Sequence, residues 1–480
     1  MTADSSSAAR LTALFSAGLA AVLGVAAFLF RDGDVFLVTG FFALAIVALP
    51  VALRKDYPLF SPWSFVVLCV TIGLTLRGVY AGFGIPDAET LDDLYRLGRD
   101  GAYFVRPAIL LLDGLGLMTA GFLFRLPAKP FAFLRVGGED LRAGAAPAGF
   151  ALLAVTLGAA FLYIQRTGGW ESAFVSAKRT PIPDLDLSGG AYASHGALRW
   201  LGSLGIYGHL VLVATLSAAD RGRGLRIALA AALLIAACVV PFYASLRSEV
   251  ALNLCLSAAV LSLVRPRFSP PRLAGLGVVA LLAIQLMTLL RSERDDAGAL
   301  SRLRFGRQAI DSLVLNRNQI ELAKTAHIFH AIPDDLDFAR GRTIAVWALA
   351  PIPRSLWPEK PVVQAGPEIG SSLYGQRVAG VPPGFVAEMY WNFGVAGVAI
   401  GCLAFGMLLR YLDDTFRPRG PESPGGVVLF VAGPMLFGFR VLGNSLGHGL
   451  FQLAANLAMA ATVLWLTARL GRWRRVTRMF

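Results

Sequence analysis

Charged residues are scarce in this chain. They make up 16% of its 480 residues, whereas hydrophobic residues make up 56%, and the mean hydropathy is +0.61. A soluble domain carries about 25% charged residues. The composition therefore excludes a soluble enzyme and indicates an all-α polytopic membrane protein.

Acidic residues are fewer than basic residues, with 31 Asp and Glu against 44 Lys and Arg, so the net charge is +13. An excess of basic over acidic residues can indicate nucleic-acid binding. Here most charges lie in short connections between apolar runs, which is the pattern of membrane topology. We therefore expect a lipid bilayer as partner and no nucleic acid.

Cysteine and histidine are also few, at four and five residues. The cysteines lie inside apolar runs without disulfide or metal spacing, as expected for small buried hydrophobic residues. His327 and His330 are three apart, which is only a weak zinc signal. A Walker loop, a dinucleotide fingerprint and a GxSxG elbow are all missing from the sequence. We expect no metal and no cofactor, and the sequence argues against an ATP-driven pump or a serine hydrolase.

About twelve apolar runs have the length of a membrane span, which needs about 20 residues. Their predicted limits are 11–30, 35–53, 62–83, 103–125, 147–165, 198–218, 226–244, 249–265, 273–291, 384–410, 425–441 and 448–469. The first of these runs is predicted to be a retained span rather than a cleaved signal peptide.

Basic residues fall in alternate connections, which predicts the orientation through the positive-inside rule. The basic set comprises Arg54, Lys55, Arg125, Lys129, Arg135, Arg142, Arg221, Arg223, Arg226, Arg265, Arg267, Arg272, Arg410, Arg417, Arg419, Arg472, Arg474, Arg475 and Arg478. The opposite set includes the acidic segment Pro86–Asp100. Both termini are therefore predicted to be cytoplasmic.

The spans divide the chain into three parts: an N-terminal bundle at 1–290, a long outer loop at 291–383 and a C-terminal membrane segment at 384–480. A loop of this length inside a compact protein usually has a function of its own. Its first part, Leu303–Phe329, has helical spacing of apolar residues and is predicted to rest on the bundle or membrane surface. Its second part holds prolines at 351, 353, 358, 361 and 367, which forbid a regular helix there.

A carboxylate lies just inside the span that follows this loop. Pro382 and Pro383 precede the predicted helix Gly384–Arg410, and Glu388 and Asn392 are four apart on one face near its start. An ionisable group inside a membrane span is a candidate functional residue.

Basic residues also gather on the predicted outer side. The loop carries Arg291, Arg294, Arg302, Arg304 and Arg307, together with Arg354 and Lys360 nearer its end. Arginine forks match phosphate oxygens, so these residues favour an anion site, and a lipid diphosphate is the natural anion at a membrane surface. A solvated or lipid-facing run of charge is the alternative.

Two short connections add polar groups on the same side. Arg247 lies in the turn before the eighth span, where it can bind substrate, pair with Glu249 or extend to lipid headgroups. Arg440 and His448 flank the last turn, and His448 is a candidate general base, although a satisfied polar turn explains them equally well.

Part of the chain resembles the oligosaccharide repeat-unit polymerases, the Wzy-type O-antigen and exopolysaccharide polymerases. The resemblance rests on Pro353, Arg354, Trp357, Pro358, Lys360 and Pro361, followed by Gly380, Pro382, Pro383, Gly384, Phe385, Glu388, Tyr390, Asn392, Phe393, Gly394 and Gly397. Many spans, one large late outer loop and a short outer turn with arginine agree with that family.

The resemblance implies a bundle like that of the lipid-linked-sugar (GT-C) transferases, with one large periplasmic loop, in the bacterial inner membrane. It implies a metal-independent polymerase whose substrate is an undecaprenyl-diphosphate-linked oligosaccharide, with a chain-length regulator and a flippase as possible partners. By matching position the resemblance carries over Arg354, Lys360, Glu388, Tyr390 and Asn392, and by location alone Arg247. It supplies no clear counterpart to the catalytic histidine of the related ligases, for which His448 and His327 are the candidates. Combining the resemblance with the charge pattern, we expect Glu388, Arg247, Arg354 and His448 to be catalytic. We expect the substrate to be bound by Arg291, Arg294, Trp357, Lys360, Tyr390, Asn392 and Arg440.

Two other functions stay open from the sequence. A polymer ligase has a similar architecture but transfers to a different acceptor. A flippase or transporter for lipid-linked sugars often shows repeats and charges at mid-membrane. The polar groups here gather at one face, which favours an enzyme, whereas paired mid-span charges would favour a transporter.

Overall fold

The computed structural model describes fifteen helices and no strand in residues 17–26, 34–54, 57, 60–85, 101–128, 138–170, 196–216, 222–244, 246–264, 275, 279, 282, 286–287, 307–315, 318–352, 356–357, 359–375, 381–418 and 423–476. The helices are α1 Ala17–Ala26, α2 Val35–Leu53, α3 Pro62–Gly82, α4 Ala102–Leu123, α5 Gly138–Arg166, α6 Gly196–Thr215, α7 Arg223–Tyr243, α8 Arg247–Val264, α9 Arg307–Val314, α10 Leu322–Ala331, α11 Arg342–Ala345, α12 Gly366–Tyr374, α13 Phe385–Phe416, α14 Pro424–Gly443 and α15 Leu446–Val476.

Ten of these helices are long and apolar enough to cross a membrane, namely α2–α8 and α13–α15. The prediction of an all-α polytopic membrane protein is therefore confirmed. These helices correspond to ten of the twelve predicted spans. Half of the predicted span at 11–30 and most of the predicted span at 273–291 lie outside the described residues. Residues 17–26 of the first form a short apolar helix.

The spans alternate in direction, so the bundle has two distinct ends. One end, called here the site end, holds the starts of α2, α4, α6, α8, α13 and α15. Contacts between neighbouring starts define it: the rings of Phe36 and Phe104 lie 4.9 Å apart, and Arg199 pairs with Glu249. At the opposite end, buried Asp413 accepts hydrogen bonds from Arg54 and Arg417.

Small residues allow the spans to approach closely. A Cβ added at Gly121 would collide with the backbone of Leu403, and one at Gly406 would collide with Met118, so α4 and α13 touch backbone to backbone. Lipid tails are as apolar as leucine, so close packing rather than hydrophobicity holds membrane helices together. The α4–α13 contact is the central pairing of the bundle.

Helix α13 begins where the proline pair predicted it. Its N-cap, Gly384, has φ +77° and ψ 150°, a conformation that only glycine adopts without strain. The predicted span has a break that the sequence did not predict: Gly394 has φ +64° and ψ −153° inside the helix. The first turns of α13, which carry Glu388 and Asn392, are thereby offset from the rest of the span.

The prediction that Leu303–Phe329 forms a helix on the surface is wrong about the position of its second half. The structure has two helices, α9 and α10, and α10 lies inside the bundle with Leu322–Ile328 all buried. The break at Gln319–Glu321 lets the Glu321 carboxylate pair with buried Arg77 of α3, whose Nε and Nη2 donate to Val314 O at 2.8 and 2.6 Å. Because a buried charge needs a partner, the pair fixes this segment inside the bundle.

Candidate functional site

Glu388 and Asn392 form a buried junction, called here the Glu388 junction. Thr343 Oγ1 donates to Glu388 Oε1 at 2.9 Å, and the Leu446 N–H donates to Oε2 at 2.5 Å. Asn392 Nδ2 donates to Thr343 Oγ1 at 2.7 Å, and the Gly341 N–H donates to Asn392 Oδ1 at 2.7 Å. The predicted pair on one helix face thus binds two other segments of the chain.

The Glu388 junction holds the turn between α14 and α15 against α13. Both carboxylate oxygens of Glu388 already accept a hydrogen bond, and its side chain is fully buried. A further hydrogen bond of 2.8 Å runs from the Gly384 N–H to Asn444 O. These contacts indicate that Glu388 positions the turn and the α11 segment.

An arginine–histidine cluster, defined as Arg199, Glu249, Arg440 and His448, lies at the site end. It brings together the ends of α6, α8, α14 and α15. Arg199 pairs with Glu249, and Arg440 lies within electrostatic range of Glu249. Both arginines lie within electrostatic range of His448. The Arg440 Nη1 also donates to Gln452 Oε1 at 3.3 Å.

The cluster is partly open, because the side chains of Arg199 and Glu249 are each 41% exposed. Arg247 begins α8 two residues before Glu249. In the structure Glu249 pairs with Arg199; the predicted alternative, an Arg247–Glu249 pair, stays a prediction. Two arginines beside an imidazole can bind an anion and accept a proton at the same place.

Trp347 connects the junction with the cluster. It lies four residues after Thr343, in a 3₁₀ turn at Val346–Leu349, and its ring meets the His448 ring edge-on at 4.8 Å. A side chain added at Gly447 would collide with the same indole. The Glu388 junction therefore sets the position of Trp347, and Trp347 in turn limits how His448 can move.

The structure gives the remaining described residues of the prediction other contacts. Tyr390 is half-buried and stacks on Phe329 at 4.6 Å, whereas Trp357 is 38% exposed. Lys360 is buried, and its Nζ donates to Ala350 O and Ile352 O at 3.0 and 2.9 Å, so it folds the proline-rich segment. His327 Nδ1 shares a hydrogen bond of 3.0 Å with the Tyr374 hydroxyl.

Arg291, Arg294 and Arg354 lie outside the described residues, so their predicted roles stay predictions. Sequence reasoning did not identify Arg199, Gln452, Thr343 or Trp347. Arg199 carried a usable signal, since it is an arginine four residues inside an apolar span. The other three carried none, because their roles depend on contacts between distant segments.

Within the described ranges, no three His, Cys, Asp or Glu side chains lie together in a way that could hold a metal ion. No protein-family model, curated protein or solved structure matches this chain.

Proposed function

We propose that this protein is a membrane glycosyltransferase that polymerises oligosaccharide repeat units carried on undecaprenyl diphosphate. The observation that supports this function is the arginine–histidine cluster at one end of a membrane bundle, adjoining the segment whose motif resembles the repeat-unit polymerases. A lipid diphosphate enters such a site from the bilayer, with its charge at the membrane surface. The GT-C-like arrangement is part of the same proposal.

In this proposal Arg199, Arg247 and Arg440 bind the diphosphate of the donor. Guanidinium groups bind phosphate oxygens through paired hydrogen bonds. Their charge stabilises the leaving group as it becomes more negative, which is often the largest contribution to catalysis. We propose the same role for Arg291, Arg294 and Arg354, and contacts with the sugars for Tyr390 and Trp357.

The transfer step forms one bond and breaks one bond. A hydroxyl oxygen of the acceptor sugar attacks the anomeric carbon of the donor, and the bond from that carbon to the phosphate oxygen breaks. The undecaprenyl diphosphate leaves with the electron pair. The hydroxyl proton passes to His448, while Glu388 holds the α14–α15 turn that carries this histidine.

The proposal places the site end on the periplasmic face of the bacterial inner membrane, with both termini in the cytoplasm. In a cysteine-free background, a membrane-impermeant thiol reagent should label Leu356→Cys in whole cells but label Trp473→Cys only after the membrane is opened. The two positions are 79% and 65% exposed and lie at opposite ends. The reverse labelling pattern would contradict this orientation.

The central test is the length of lipid-linked glycans in a strain without this protein. We expect the null strain to accumulate single repeat units, and the wild-type gene to restore a ladder, because joining of units would stop without the enzyme. The measurement is gel or mass analysis of extracted lipid-linked glycan. An unchanged ladder in the null strain would contradict the polymerase.

The null strain also separates the alternatives. A ligase would leave long polymer on the lipid without onward transfer. A flippase would leave single repeat units on the cytoplasmic side, whereas a polymerase would leave them on the periplasmic side, and a membrane-impermeant sugar-modifying reagent applied to intact spheroplasts distinguishes the two. The buried Arg77–Glu321 pair gives the transporter little support, because Arg77 lies five residues before the end of α3 rather than at its middle.

A further inference from the structure

A single carboxylate lies at mid-membrane on the outer surface of the bundle. Asp113 is the twelfth of the 22 residues of α4 and is exposed. At 1.5 Å of rise per residue, it lies about 15 Å from each end of the helix, which is the middle of a hydrocarbon core about 30 Å thick. Among the described residues, none forms an ion pair or hydrogen bond with Asp113.

Asp113 lines an apolar groove of about 520 Å³ between α2, α4 and α13. All its other lining residues are apolar, including Ile46 of α2 and Val395 and Ala399 of α13. Ile46 and Val395 lie 11 and 10 residues from the starts of their helices at the site end, and Asp113 lies 11 residues from the start of its own. The groove is therefore at mid-depth on all three helices.

A small residue lines the α4 side of the groove and leaves open space beside it. Gly116 is one turn from Asp113 and lines the same groove, and a Cβ added there would meet nothing within 4 Å. Ala120 continues the exposed face of α4 one turn later. Small residues spaced in this way let a second helix approach the backbone of the first.

We propose that this groove docks a membrane-spanning helix of a different protein that carries a single lysine or arginine at mid-depth. A lone carboxylate facing lipid is costly, and intramembrane charges pair with one another. A second copy of this chain does not supply the partner charge, because no Lys or Arg lies within four residues of the midpoint of any of the ten described spans. A symmetric dimer through the groove would instead bring two Asp113 side chains together.

The test uses the full-length protein in phosphatidylcholine vesicles with synthetic spanning helices of leucine and alanine. The helices carry Lys, Leu or Glu at the centre, and energy transfer from a label at Leu356→Cys reports binding. The Lys helix should bind about tenfold more tightly than the Leu helix, which is within the range for interhelical polar contacts. The Glu helix should bind no better than the Leu helix.

Asp113→Asn should abolish the preference for the Lys helix, and Gly116→Leu should weaken binding of every helix by filling the groove. Equal binding of the Lys and Leu helices to the wild type would overturn the proposal, as would a Lys preference that survives in Asp113→Asn. Should Asp113→Asn fail to fold, the comparison of Lys and Glu helices on the wild type decides alone. Efficient disulfide formation between two copies of the Val395→Cys protein would overturn the proposal, because it would show that the groove is a dimer interface.

Discussion

Arg440→Ala should reduce polymer formation by about 100-fold to 1,000-fold, the effect of removing one donor that stabilises developing negative charge. Arg440 is the member of the arginine–histidine cluster that lies within electrostatic range of both Glu249 and His448, and its Nη1 donates to Gln452 Oε1. Without it, the diphosphate loses a cation where its charge grows. The measurement is the rate of ladder growth with purified lipid-linked repeat units in vesicles.

Arg440→Lys keeps the charge but loses the planar fork, so we expect an intermediate loss of about tenfold. Arg469→Ala is the matched control, because it removes an exposed arginine from α15 at the opposite end, where the guanidinium lies 5.3 Å from the Trp465 ring. It should leave the rate unchanged. A normal rate in a well-folded Arg440→Ala protein would remove the arginine–histidine cluster from the proposed site.

Glu388→Ala should both destabilise the protein and stop polymerisation. The change leaves the Leu446 N–H and the Thr343 hydroxyl without their acceptor in a fully buried place. Each unsatisfied buried donor costs about 1–3 kcal/mol. We expect a fall of several degrees in the apparent melting temperature in detergent, together with loss of the glycan ladder, because the α14–α15 turn would no longer be fixed.

Glu388→Gln separates a positioning role from a catalytic one. The amide has nearly the same shape, and its oxygen can accept from Leu446 while its nitrogen donates to Thr343 Oγ1. We expect most stability and a measurable ladder to remain. Thr343→Val should resemble a milder Glu388→Ala. A Glu388→Gln protein with wild-type stability and no activity would instead make the carboxylate a participant in proton transfer.

The positions of the spans were predictable because they depend only on the length of the apolar runs. Hydropathy and the proline pair at 382–383 located the start of α13 correctly to one residue. The i, i+4 spacing of Glu388 and Asn392 was predictable for the same reason, since it depends only on helix geometry. The break at Gly394 was not predictable, because a single glycine inside a span is compatible with both a continuous and an interrupted helix.

The partners of the site residues could not be predicted. Thr343 and Leu446 lie 45 and 58 residues from Glu388, and Glu249 lies 50 residues from Arg199. Local periodicity carries no information about such pairings. Segment α10 was misplaced for a related reason: its apolar spacing suits a membrane surface as well as an interior, and only the pairing of Glu321 with Arg77 distinguishes the two.

The enclosed position of α10 also imposes an order on biosynthesis. The ribosome makes α3 and α4 before this segment, but it makes α13 and α14 afterwards. The Asn318 carbonyl packs against Gly443, and the Lys324 Cε lies 3.8 Å from the position of a Cβ on Gly384, so both later spans complete the enclosure. A nascent chain that ends before residue 385 therefore leaves one side of this charged segment uncovered. The interior of the bundle is completed by spans that are translated after the segment they enclose.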